Sequence, residues 1–326
     1  MKNINKISSN RLNYTDDLSP VIERLCEVYK LGKLISFSII DTGYEDCNVF
    51  IKTLSGDYVA KMFSKERSQE DIIRYSSIME KVVDAGINHP PLIRTIFNEV
   101  VYCDKQANQI SMVLMKFVSG KTFFELNRAP NKEEAKQIIE QAVKINKINY
   151  HPLYIFDSWA IPNIKTMFDK VKKFVNQDDA ELVEHVISKF AEVSENGLPK
   201  CFVHGDFTKA NVLIGDDGKI YILDFSVSNW YPRIQELAVV CANLLYDNNN
   251  PVSLNNRVEF VLSEYDKLSP LSEEEKNNLY VYSLAGVAME FIGAHLEKFI
   301  KGNDSEETEY WLNLGRNGLK REFISK

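Results

Sequence analysis

Basic charge is in short supply in this 326-residue chain: 39 Lys and Arg stand against 46 Asp and Glu, a formal charge of −7. Neutralising a phosphate backbone takes clustered Lys and Arg, so the balance argues against a nucleic-acid partner. Cysteine is sparse and unpatterned. Cys26, Cys47, Cys103, Cys201 and Cys241 are odd in number, far apart and never spaced C-x-x-C. That excludes a disulfide framework or zinc ribbon and leaves five small core hydrophobes. The five histidines form no H-E-x-x-H or other ligand pair. The opening MKNINKISSN has no apolar signal segment, and no stretch of about 18 apolar residues occurs. The weakly polar run SLAGVAMEFIGA is interrupted by Glu290. The expectation is a cytoplasmic protein with no membrane association.

What is present is ordinary globular composition, 44% apolar and 26% charged, which a mostly disordered chain lacks. At about 150 residues per domain the length suggests two domains, or two lobes around a cleft. Residues 1–18 are polar and read as a loose segment. Ser19 as N-cap, Pro20 at the first helical position and Gly32 just past the end mark a first helix. LISFSIID, VFIKTL and YVAKMF then read as a three-strand meander. A helix over 66–84 and strand-like PLIRTIFN and SMVLMKFV follow. After Gly120 the pattern turns helical. Asn131 with Glu134 forms a capping box for a helix to about residue 150. Further helices are expected at 163–175, 179–195, 233–246, 272–300 and 306–324, around a strand patch at 201–224. Strands first and helices later indicate an α+β small lobe on a mainly helical large lobe.

Chemistry concentrates in CFVHGDFTKANVLIGDDGKIYILDF, residues 201–225. Asn211 follows Asp206 by five residues, and Asp224 follows Asn211 by thirteen. The strands VLI and YIL flank a Gly-Asp-Asp-Gly turn, so a hairpin returns Asp224 to the side of Asn211 and Asp206. Two carboxylates and an amide oxygen supply hard ligands for magnesium and a base for an acceptor hydroxyl.

This spacing is the H-x-D-x-x-x-x-N … D-F signature of the kinase fold. With Gly205 where protein kinases carry arginine, it resembles the aminoglycoside phosphotransferase and choline kinase superfamily. TGYEDCNVFIKTLSGDYVAKMF looks like that superfamily's loop and first three strands, MVLMKFVSGKTF like its hinge, and YPRIQELAVVCANLL like its helix after the metal-binding aspartate. The resemblance implies a bilobal kinase-like fold: a nucleotide-binding lobe over 19–115, a hinge at 116–120 and a catalytic and acceptor-binding lobe over 121–326. It implies ATP or GTP as co-substrate and Mg2+ as cofactor. Asp206 is then the base, Asn211 and Asp224 hold magnesium, and Lys61 binds the nucleotide phosphates. Met115 lines the adenine pocket and the backbone of Lys116 and Val118 bonds the base. Gly43 to Asn48 matches the phosphate loop, although a plain hairpin turn explains it as well.

Departures from the pattern leave some roles open. The helix position that normally supplies a glutamate to the lysine falls near Tyr75, so Glu70 or Asp71, about one turn earlier, is the substitute, with Glu70 preferred, against a solvated helix charge. Lys209 reaches the transferring phosphoryl or is a surface charge. His204 reads as a structural pin of the loop. Ser226 replaces the glycine of D-F-G, and Glu236, in place of a later aspartate, is expected to brace the catalytic loop. SGKT at 119–122 is no P-loop, because Met115 stands where the first glycine belongs. Trp230, Tyr231, Tyr282, Glu290 and Trp311 are candidate acceptor walls, with core packing as the competing account. The acceptor is a small-molecule hydroxyl, on an amino alcohol, an amino sugar, a homoserine-like metabolite or an aminoglycoside, and the enzyme is a monomer or homodimer. The alternatives are a nucleotide-binding scaffold without turnover and a protein kinase. Only about a dozen residues separate Asp224 from Glu236, too few for a peptide-docking segment.

Overall fold

The computed structural model describes residues 11, 12, 14–40, 42–193 and 197–324. Residues 1–10 and 13 of the expected loose segment, Asp41 at the end of the first expected strand, and residues 194 and 195 of an expected helix lie outside them. Two compact units divide the chain. One runs to Val83 and resumes over His89–Ser119; the other holds Asp84–Asn88 and everything from Gly120 onward.

The first unit is built on an antiparallel sheet. Its elements are α1 (Ser19–Val28), β1 (Leu34–Ile40), β2 (Cys47–Thr53), β3 (Gly56–Met62), α2 (Gln69–Asp84), β4 (Leu92–Ile93), β5 (Val101–Asp104) and β6 (Ile110–Lys116), with strand order β1-β2-β3-β6-β4 and β5 also on β6. In β2, Cys47, Val49, Ile51 and Thr53 are buried while the residues between them are not, the period of two that points one face inward. Val21, Ile22 and Leu25 of α1 join that core, as do Leu12 and Leu18. Residues 11, 12 and 14–18 are therefore anchored rather than loose: Leu12 and Leu18 are buried, and Arg11 donates to the Gly43 carbonyl at 2.6 Å. The N-cap of α1 is Leu18, with Asp17 Oδ1 accepting the Ser19 N–H at 3.0 Å, one residue away from the Ser19 cap expected. PLIRTIFN pairs only at Leu92–Ile93. Thr95 Oγ1 accepts the N–H groups of Phe97 and Glu99, which bends the rest into a turn.

The second unit is mainly helical: β7 (Gly120–Thr122), α3 (Lys132–Asn146), α4 (Ile164–Val171), α5 (Gln177–Ala191), β8 (Lys200–Val203), β9 (Val212–Gly215), β10 (Ile220–Ile222), β11 (Asn229–Pro232), α6 (Ile234–Val239), α7 (Leu254–Leu268), α8 (Glu273–His295) and α9 (Glu306–Ile324). The Asn131–Glu134 capping box starts α3 as expected. Helix α7 was not expected; Ser253 caps it and Leu254, Val258, Val261 and Tyr265 bury one face. At its centre lies α8, packed by α9, α6, α5 and α4. Among the described residues Glu273–Ile300 is the one helix long and apolar enough to cross a membrane, and it is buried within this unit. Two small ribbons, β10-β9-β7 and β11-β8, carry the loops that matter. At Gly120 a Cβ would come within 2.3 Å of the Ile214 carbonyl oxygen, so only glycine lets β7 lie against β9.

Candidate active site

The loop between β8 and β9 is fixed from three sides. His204 is fully buried; its Nε2 donates to the Leu223 carbonyl at 2.8 Å, and its Nδ1 accepts the Asp206 N–H at 3.1 Å. That geometry requires the neutral ring, and burial holds the imidazole down to about 4. His204 is thus the structural pin expected. Glu236 on α6 accepts the N–H of His204 at 3.0 Å and of Gly205 at 3.2 Å, which is the expected brace. Gly205 has φ +89°, and a Cβ there would meet the Val227 carbonyl oxygen at 3.0 Å. The arginine of protein kinases has no room in this loop.

The hairpin does the gathering. β9 and β10 pair antiparallel, and the Leu223 N–H donates to the Asn211 carbonyl at 2.8 Å, which places Asp224 beside Asn211. Asn211 Nδ2 in turn donates to Asp206 Oδ2 at 2.6 Å and to its carbonyl at 3.1 Å. Asp224 adopts φ +56°, a left-handed conformation that costs a non-glycine residue about 1–2 kcal/mol and that concentrates at functional positions.

Acid crowds around Asp206. Its carboxyl is pushed up to about 8 by burial, then by the charges of Asp157, Asp224 and Glu290. Asp157, buried ahead of α4, was missed in the sequence, where nothing marks it. Glu290 on α8 is pushed up to about 7 by burial and accepts from Asn243 Nδ2 at 2.7 Å. Asn211 Oδ1 accepts no hydrogen bond among the described residues. Carboxylates of like charge with a spare amide oxygen beside them are hard-oxygen donors, the ligand type that magnesium takes.

In the first unit Lys61 is buried mid-strand in β3, opposite Asn48 of β2 and Val113 of β6. Its Nζ lies 2.9 Å from Asp46 Oδ2, and over the Tyr75 ring at 5.7 Å. Asp46 also accepts from Arg67 and from the Ser64 N–H. The expected partner Glu70 is instead exposed on the first turn of α2. This carboxylate comes from the loop before β2, and the helix contributes the buried ring of Tyr75 beside the lysine. Asn48 lies in β2 itself, while Gly43 is in the loop with φ +88°. Met115 is buried in β6. The Lys116 N–H donates to the Pro91 carbonyl at 2.8 Å, and the Val118 N–H makes no bond among the described residues.

Lys209 is not a surface charge. It is 1% exposed, and its Nζ donates to the Tyr246 carbonyl at 2.6 Å and to Tyr310 Oη at 3.2 Å. Burial pulls it down to about 8. The five expected acceptor walls do not form one surface. Tyr282 is core, edge-on to Phe190; Trp230 stacks on His151; Tyr231 packs with Ala160 and Val203. Glu290 remains near Asp206, and Trp311 packs on Phe124 and Tyr310.

A model of the phosphotransferase enzyme family matches residues 36–271, which span both units and the whole hairpin. The chain belongs to that family. As a phosphotransferase it has full-length relatives: a homoserine kinase of Caulobacter sp. (strain K31) is 20% identical over 319 residues, covering 94% of this chain and 97% of that one. A homoserine kinase of Rhodopseudomonas palustris (strain BisB5) is 21% identical over 292 residues, 88% and 86% of the two chains. Among solved structures, the amicoumacin kinase hAmiN in complex with AMP-PNP, Ca2+ and Ami superposes with TM-score 0.67 at 12% identity, over 94% of each chain. The choline kinase LicA from Streptococcus pneumoniae gives 0.62 at 14%, over 92% of this chain and 99% of that one. These likenesses establish the kinase-like fold for this phosphotransferase.

Proposed function

We propose that this phosphotransferase moves the γ-phosphoryl of ATP or GTP to the hydroxyl of a small amino alcohol, with homoserine the first acceptor to try. The observation that carries the reading is the convergence of Asp206, Asn211 and Asp224, with Asp157 and Glu290 adding negative charge. An acceptor bearing an ammonium group is attracted to such a site, whereas a neutral sugar is not. Several names among the relatives and structural neighbours run the same way, homoserine, choline, ethanolamine and aminopropanol kinases, whereas the amicoumacin kinase and a spectinomycin phosphotransferase stand for larger acceptors.

In this reading Asp206 accepts the hydroxyl proton as the oxygen attacks the γ-phosphorus. The bond from that phosphorus to the β,γ-bridging oxygen breaks, and the nucleoside diphosphate leaves. His204 and Glu236 hold the loop so that the Asp206 carboxylate is preset, since phosphoryl transfer depends on positioning more than on covalent help. Lys61, oriented by Asp46, neutralises nucleotide phosphate charge. Asn211 and Asp224 would hold magnesium, which offsets charge on the phosphates when bound. The buried Asp46–Lys61 pair replaces the missing helix glutamate, and this weighs against a scaffold without turnover.

The test is nucleotide consumption coupled to acceptor. Homoserine, ethanolamine, choline and 3-amino-1-propanol are expected to support turnover well above glucose and glycerol. Equal rates with neutral alcohols, or none with any amine, would contradict the acceptor class.

A further inference from the structure

Three residues past Asp206 the chain turns into a cavity of about 220 Å3 whose lining includes Lys209, Tyr246, Asp247, Tyr310, Asn313 and Asn317. Every one of these belongs to the helical unit. Its chemistry is uneven. A buried ammonium stands on one part of the wall and the Asp247 carboxylate on another, and they form no ion pair with each other among the described residues. An ammonium has three hydrogens to donate. Lys209 gives one to the Tyr246 carbonyl and one to Tyr310 Oη, and the third has no partner among the described residues. Tyr310 accepts from Lys209, which leaves its own hydroxyl hydrogen to donate, also without a described partner.

Two uncommitted donors therefore meet on one wall, one of them charged and 1% exposed. A buried donor without an acceptor costs about 1–3 kcal/mol, more when charged. A carboxylate meets both donors at once. Asp247 already accepts the N–H groups of Asn249 and Asn250, which fixes its carboxylate, and it offers the opposite charge within the same cavity. A cavity with one charge of each sign on its wall suits a small zwitterion. Asn243 ties this wall to the acid cluster: its Oδ1 accepts the Lys209 N–H at 2.9 Å and its Nδ2 donates to Glu290 at 2.7 Å, the carboxylate that also bears on Asp206.

We infer that Lys209 and Tyr310 bind the carboxylate of a zwitterionic acceptor, with Asp247 facing its ammonium, and so select hydroxy amino acids over amino alcohols that lack a carboxylate. This rests on the amino-alcohol reading above and narrows it. Homoserine and 3-amino-1-propanol make a matched pair, because the second is the first without its carboxylate. Wild-type enzyme is expected to favour homoserine in kcat/KM. Lys209→Met should lower kcat/KM for homoserine about 100-fold, the size of a lost charged hydrogen bond, with a far smaller loss for 3-amino-1-propanol. Tyr310→Phe, which keeps the ring packing on Phe124, should show the same selective loss to a lesser degree and guards against a folding defect in the lysine variant. Calorimetric titration of homoserine into each protein reports the same loss without turnover. Parallel losses for both acceptors, or homoserine binding unchanged in both variants, would overturn the inference while leaving the amino-alcohol reading standing. Lys209-dependent homoserine binding with no phosphorylation of either compound would support this site and overturn that reading.

Discussion

Asp206→Asn should reduce kcat by about 10²–10⁴-fold, the range for losing a positioned general base, and leave nucleotide binding in place. The amide occupies the carboxylate's volume and can still present an oxygen to Asn211 Nδ2, which now bonds Oδ2 at 2.6 Å. The backbone contacts that set the loop, from His204 and Glu236, do not involve the Asp206 side chain. The native carboxyl is raised to about 8 by burial and by Asp157, Asp224 and Glu290, so a neutral side chain relieves repulsion and the fold should tolerate it. Single-turnover chemistry and nucleotide titration on the same preparation separate the two effects. A variant that retains full transfer would remove Asp206 from the role of base.

A second large effect is expected at Asp46. Asp46→Ala removes the Asp46 carboxylate from the buried Lys61 ammonium, and losing one partner of a buried pair costs about 3–5 kcal/mol. It also strips an acceptor from Arg67 and from the Ser64 N–H. Denaturant unfolding should show the loss, and nucleotide KM should rise because Lys61 is no longer oriented. Glu70→Gln provides the contrast. Glu70 is exposed at the start of α2, so its replacement should fall within about 0.5 kcal/mol of wild type, as surface changes do. The reverse order of severity would return the lysine's partner to the helix.

The difference between these two acids shows what the sequence carried and what it did not. Asp206, Asn211 and Asp224 were legible because local spacing and a hairpin suffice to bring them together. The roles of His204 and Glu236 were legible for a similar reason: each answers a backbone need of the same short loop. Asp46 was not, since its pairing with Lys61 depends on how the loop before β2 folds over β3, and nothing in TGYEDCN separates it from Glu45 as a ligand. Asp157 and Asn243 reach the site from distant segments and carry no motif. The acceptor walls failed at Tyr282 and Tyr231 because aromatic side chains at helix and strand spacing satisfy core packing first. Helix α7 was hidden by the Asn-rich run before it, although Leu254, Val258, Val261 and Tyr265 keep helical spacing.

The most direct test of the cation site is a nucleotide thermal shift with and without magnesium, on wild type and Asp224→Ala. Ligand at about 100 times Kd stabilises a protein by about 2.7 kcal/mol, so loss of metal-assisted affinity is readable. Magnesium should enlarge the nucleotide shift of the wild type and add little to that of the variant. An equal magnesium increment in both proteins would contradict the assignment of Asp224 as a metal ligand.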